Sequence, residues 1–124
     1  MSFRSILGEI VSGCDDCVGA VLMGADGIPI EEVTTRHRLD GPLAEELGTA
    51  GVEFSRILDE IRKASDSLAG GALTETVVVL ACFSLIFRPI DEDSFLVVVL
   101  AADGNLGKAR YLMRRHQLAI RQEL

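Results

Sequence analysis

The sequence predicts an α+β domain with element order αββαβββα, an antiparallel sheet carrying helices on its surface. Three observations lead there. An Asp-Gly turn separates two short apolar runs near the N-terminus. A long stretch of helical periodicity follows. The second half then changes to valine-rich segments split by polar turns, before a last amphipathic stretch. The 124 residues suit one domain, residues 1–124, and a composition 48% hydrophobic and 25% charged is that of a globular chain rather than a disordered one.

Phe3, Ile6, Leu7, Ile10 and Val11 recur at helical spacing and predict a first helix over 3–12, with Gly13 as its stop. Val18 to Met23 reads as a strand, Ala25-Asp26-Gly27 as a turn, and Ile28 to Val33 as a second strand. Pro29 lacks the N–H that a ladder needs, so this second strand is expected at a sheet edge, where Glu31 and Glu32 would discourage pairing with another molecule. A polar loop runs from Thr34 to Asp40, and Asp40-Gly41-Pro42 opens the long helix expected over 42–69. Its apolar stripe is Leu43, Leu47, Ala50, Phe54, Ile57, Leu58, Ile61 and Leu68, and Gly70-Gly71 is expected to stop it. Thr74 to Leu80 and Ser84 to Ile90 read as strands, joined near Ala81-Cys82-Phe83 without a turn residue to mark the place. Asp91-Glu92-Asp93-Ser94 turns into a last strand, Phe95 to Ala101. Asp103-Gly104-Asn105 then caps a helix from Leu106 to about Gln122 that buries Ala109, Leu112, Met113, His116 and Ile120.

Charge narrows the function. A net charge of −7 argues against nucleic acid, whose binding relies on cations against phosphates. The charge is uneven: over 106–124, Lys108, Arg110, Arg114, Arg115 and Arg121 face Glu123 alone, a net of +4 that leaves −11 on the rest. Arg110, Arg114 and Arg121 share one helix face with Gln117. That face reads either as solvated and favoured by the helix dipole, or as a contact for an acidic protein or lipid. The N-terminus has no apolar signal segment, and no run approaches the roughly 20 residues of a membrane helix, so a cytoplasmic location is expected.

The search for chemistry finds little. Cys14, Cys17 and Cys82 are expected as reduced thiols. Cys14 and Cys17 form a C-x-x-C, but His37 and His116 have no zinc-ligand spacing to it, and the pair sits where a helix ends rather than begins. Asp15-Asp16 and Asp91-Glu92-Asp93 read as solvated turns, lacking the spacing of a calcium loop. Residues 103–108 lack phosphate-loop spacing, and no nucleophile and base share a local signature. No enzymatic activity and no cofactor or metal are expected.

The stretch VGAVLMGADGIPIEEV (Val18 to Val33), the long helix after Pro42, the run FRPIDEDSFLVVVL (Phe87 to Leu100) and the closing LGKARYLMRRHQLAI (Leu106 to Ile120) resemble the roadblock/dynein light chain family, in particular its prokaryotic MglB-like members. The resemblance covers essentially the whole chain, and rests most on Asp26 to Pro29 and on Leu106 to Arg110. It implies a five-stranded, profilin/roadblock-like antiparallel sheet, with the long helix on one face and the terminal helices on the other. It also implies a homodimer in which the strand at Thr74 to Leu80 pairs with its two-fold mate and the long helices lie side by side. Some members regulate small Ras-like GTPases, including as GTPase-activating proteins; others are scaffolds of GTPase-regulating assemblies or dynein light chains.

Two sites are expected. The almost uncharged edge of Thr74, Glu75, Thr76, Val77, Val78, Val79 and Leu80 would form the dimer interface, Glu75 being its one charge. On the long helix, Gly48, Gly51, Val52 and Ser55 lie beside and behind the apolar stripe. Such small residues cost helix propensity, about 1 kcal/mol for each glycine relative to alanine, so close packing is expected there, by the mate's helix or by a docked GTPase. Asp59 and Arg62 would stand at the rim, and Gly51→Arg is expected to remove GTPase binding without unfolding the chain. The functional readings are a small-GTPase regulator or scaffold, a structural adaptor or motor-associated subunit with no GTPase partner, and a metal- or small-molecule-binding domain using the cysteines.

Overall fold

The computed structural model of the chain describes residues 2–35 and 43–124. Helix α1 (Phe3–Gly13) leads into β1 (Cys17–Gly24) and β2 (Pro29–Thr34), then α2 (Leu43–Leu68), β3 (Thr76–Val79), β4 (Phe83–Pro89), β5 (Ser94–Ala101) and α3 (Leu106–Glu123). The expected order αββαβββα holds, with ends displaced by a residue or two. The expected Asp40-Gly41-Pro42 helix opening and the polar loop from Arg36 onward lie outside the described residues.

Local chemistry sets the ends. Ser2 caps α1 by accepting the Ser5 amide at 3.2 Å, and Asn105 caps α3 by accepting the Lys108 amide at 3.0 Å. Between β1 and β2, Gly27 takes φ 86°, and Asp26 Oδ1 accepts the Ile28 amide at 3.0 Å; only glycine adopts that backbone without cost. The stop of α2 differs from expectation. The left-handed residue is Ala69, φ 52°, with the Ala69 amide on the Asp66 carbonyl at 3.3 Å and the Gly70 amide on the Ser65 carbonyl at 3.0 Å. This is a Schellman cap with alanine where glycine is usual. Strand β3 is shorter than expected: Thr74, Glu75 and Leu80 fall outside it, and the Leu80 amide bonds the Phe83 carbonyl at 2.9 Å across Ala81-Cys82. No residue of that turn has positive φ, which is why no glycine or asparagine marks it.

The five strands form one antiparallel sheet in the order β2-β1-β5-β4-β3. One face packs against α1 and α3, where Ile6, Leu7, Ile10, Met113 and Ile120 meet Leu22, Ile86, Leu96, Val98 and Leu100. The other packs against α2, where Phe54, Leu58 and Ile61 meet Val21, Met23, Phe87, Phe95 and Val97. Phe87 sits between Phe54 and Phe95, with ring centroids 4.9 and 6.3 Å away, tilted contacts that add to the area buried. The long helix on one face and the terminal helices on the other match the arrangement the family resemblance implies.

The contact that seats α2 is a glycine-to-glycine approach. A Cβ on Gly51 would come within 2.4 Å of the Gly27 carbonyl oxygen and 2.8 Å of Met23 Sδ; a Cβ on Gly27 would come within 2.6 Å of the backbone of Gly51 and Val52. One turn on, the Ser55 hydroxyl donates to the Ala25 carbonyl. The helix therefore rests directly on the β1–β2 turn.

Two substitutions test these readings in opposite directions. Gly51→Ala gains about 1 kcal/mol of helix propensity but forces a methyl against backbone, and overpacking of this kind costs typically about 1–3 kcal/mol; a thermal midpoint at or above wild type would contradict the close approach. Ala69→Gly relieves a left-handed alanine, against the larger chain entropy glycine has when unfolded, and is expected to stabilise by roughly 0.5–1 kcal/mol. Urea titration would measure it, and a loss of stability would count against the Schellman assignment.

Candidate partner-binding site

The six residues expected to form a platform on α2 do not share one surface. Gly51 and Ser55 are buried, turned toward the β1–β2 turn, so their small size is explained inside the molecule. Arginine at position 51 has no room to leave the fold intact. Gly48 lies in α2 ahead of the residues whose surroundings are described. Val52 is 48% exposed. Asp59 and Arg62 form an ion pair at 2.9 Å, with Asp59 exposed and Arg62 reaching an open cleft.

Two residues of the apolar stripe are at the surface: Ile57 is 52% and Leu68 80% exposed. With Ala64, also exposed, they recur at i, i+7 and i+11 and so run along one flank of α2. The apolar arc of α2 is wider than the sheet beneath it covers.

The strand expected at the dimer interface is an edge. β3 pairs with β4 on one side only: Thr76 opposite Phe87, Val77 opposite Ile86, Val78 opposite Leu85 and Val79 opposite Ser84. Val78 packs toward the α2 layer, whereas Val77, Val79 and Leu80 are exposed. The opposite edge, β2, has Pro29 in the strand, Glu31 3.3 Å from Arg4, and Glu32, whose carboxyl burial pushes above the ordinary glutamate range.

Glu75, just ahead of β3, is the feature the sequence reading missed as a site. Its carboxylate meets Arg88 of β4 at 3.0 Å and Arg110 of α3, while Arg88 also donates to Gln117 of α3. Glu75 and Arg88 are largely buried, so each charge depends on its partners for the solvation it has lost. No local pattern signals this triad, because its members lie on three elements. It also removes Arg110 from the free basic face.

The cleft beside Arg62, about 780 Å³, opens between the end of α2, the β4–β5 turn and the end of α3, with Asp66, Leu73, Asp91 and Arg121 in its walls. Burial disfavours the ionised Asp91, but the Ser94 hydroxyl, the Asp93 and Ser94 amides and nearby Arg121 outweigh it and hold the carboxyl below the ordinary aspartate range. These acidic residues thus close their own turn. His116 sits between helices, Nδ1 3.5 Å from Glu9 of α1. Cys14 and Cys17 are buried at the α1–β1 turn and Cys82 is exposed, with no disulfide among the described residues. Among the described residues, no three His, Cys, Asp or Glu side chains converge where a metal could sit, and no helix is long and apolar enough to cross a membrane.

The sequence matches no protein-family model and no curated protein. Solved structures do match. The chain is 32% identical to MglC from Myxococcus xanthus over 100% of both chains, with a TM-score of 0.70. A Roadblock/LC7 domain from Streptomyces avermitilis superposes with a TM-score of 0.82 at 18% identity, over 98% of this chain and 97% of that one. The gliding protein MglB from Thermus thermophilus gives 0.84 at 18% identity, over 97% and 86%. With a full-length likeness to MglC in sequence and the shared fold of roadblock domains, the chain belongs to the roadblock/LC7 family, beside MglB and MglC.

Proposed function

We propose that this chain is a non-enzymatic, cytoplasmic homodimer that regulates or scaffolds a small Ras-like GTPase, docking it on the outward surface of α2. The observation that carries this is the exposure of Val52, 48%, among the charged pairs Glu53–Arg56, Asp59–Arg62 and Glu60–Lys63. An apolar centre inside a polar rim is how protein interfaces concentrate affinity, with rim charges tuning encounter. The GTPase as partner comes from the family, in which MglB-like members regulate such proteins.

The dimer is supported by the bare β3 edge and by the Ile57, Ala64 and Leu68 flank. Both would be covered if two β3 strands paired about a two-fold axis with the α2 helices side by side. MglB itself has been solved in a tetrameric arrangement. A second reading, a structural adaptor with no GTPase, draws support from Gly51 and Ser55: turned inward onto the β1–β2 turn, these small residues need no docked partner to explain them.

Two experiments separate these. Val79→Lys with Leu68→Lys places charges on the bare edge and flank without touching the core, and is expected to convert a dimer to a monomer in analytical ultracentrifugation; wild type sedimenting as a monomer at micromolar concentration would end the dimer proposal. Val52→Glu is expected to abolish capture of a Ras-like GTPase from lysate supplemented with a non-hydrolysable GTP analogue. The circular dichroism spectrum should be unchanged. If mass spectrometry finds no GTPase on wild type in either nucleotide state, the adaptor reading takes its place.

A further inference from the structure

We infer that the outer face of α3 is a second docking surface, built for an acidic segment of a protein partner that carries apolar side chains. It goes beyond the α2 reading, lies on the opposite sheet face and does not depend on it.

The sequence puts five cations on the last helix, and the structure sorts them. Arg110 is held by Glu75, and Arg121 stands beside Asp91 in the cleft wall. Lys108, Arg114 and Arg115 are exposed and have no acidic partner among the described residues. Between them stand two exposed apolar side chains, Tyr111 at 57% and Leu118 at 64%. A spacing of seven puts both on one line of the helix. Arg115 donates to the Tyr111 hydroxyl at 3.0 Å, holding ring and guanidinium on the same face. The opposite face, with Ala109, Met113 and Ile120 at 0% exposure, anchors the helix in the core.

The helix dipole does not account for this pattern. It favours cations only in the last turn and opposes one in the first, yet Lys108 sits in the first turn and Arg114 and Arg115 at mid-helix. Solubility does not explain Tyr111 and Leu118. An anionic bilayer fits poorly: surface anchoring on that ground takes clusters of about 4–8 Lys or Arg, three are free here, and the rest of the chain, at −11, would face the same extended sheet of charge. A peptide touches α3 alone, its carboxylates meeting Lys108, Arg114 and Arg115 and its apolar side chains meeting Tyr111 and Leu118.

The test uses the full chain and a fluorescein-labelled peptide of glutamates with leucine at every fourth position, read by fluorescence anisotropy. Arg114→Glu with Arg115→Glu, and separately Leu118→Ser, are expected to weaken binding about tenfold or more, as loss of interfacial charge or anchor contacts does. A charge-matched control on α2, Arg56→Glu with Lys63→Glu, should stay within about twofold by the same standard. Each variant changes exposed residues, and circular dichroism checks the fold. The inference is overturned if wild type does not bind the peptide, or if the α3 double variant binds as tightly as wild type. It is also overturned if the α2 control weakens binding as much, since charge alone would then be responsible. Capture of wild type by phosphatidylserine vesicles without peptide binding would likewise overturn it, making the face a membrane contact.

Discussion

Strand β5 is shut off from water on both faces, and the architecture follows from that. Leu96, Val98 and Leu100 point into the layer of α1 and α3, while Phe95, Val97 and Val99 point into the layer of α2, all buried. Each such side chain contributes about 1.5–3 kcal/mol when fully removed from water, a gain realised only if both faces are covered. A two-layer arrangement would leave one set bare. The chain therefore needs helices on either side of the sheet, and it places α1 and α3 together on one face and the long helix on the other. The strands flanking β5, β1 and β4, are nearly as enclosed, and exposure returns at β2 and β3.

Those two edges are finished in different ways. β2 is closed by composition, with Pro29 and two glutamates in the strand. β3 is held in place by electrostatics: Glu75 binds Arg88 and Arg110, joining the start of the strand to its neighbour and to α3, while the outward edge keeps Val77 and Val79. A strand tethered by ion pairs and left apolar outside is positioned without being sealed. Part of the basic stripe on α3 does this structural work, and the rest of the cations remain on the surface.

The periodicity of Phe3 to Val11, the Asp26-Gly27 turn, Pro29 at an edge and the valine-rich late strands were legible because each is a local rule: a helix period, a positive φ, a missing donor, an alternation. Element order follows from these, whereas the division of the helices between the two faces came from the family resemblance. The inward turn of Gly51 and Ser55 was not legible, since the reason for a small residue lay on a turn more than twenty residues earlier in the chain. The Glu75 triad escaped for the same cause, being spread over the start of β3, β4 and α3. Ala69 replaced the expected glycine at the end of α2 because a Schellman hydrogen-bond pair can hold an alanine in a left-handed conformation.

The approach of Gly27 to Gly51 has a consequence for how this chain can diverge. Each glycine is the space the other's backbone occupies, so a side chain at either position must be preceded by a shift of the whole helix away from the turn. That shift would uncover Met23 and break the hydrogen bond between Ser55 and Ala25. The two positions thus behave as one hereditary unit although they belong to different elements. Within α2, by contrast, side chains on the outer surface meet no neighbouring backbone, and a change there leaves the seat of the helix on the turn intact.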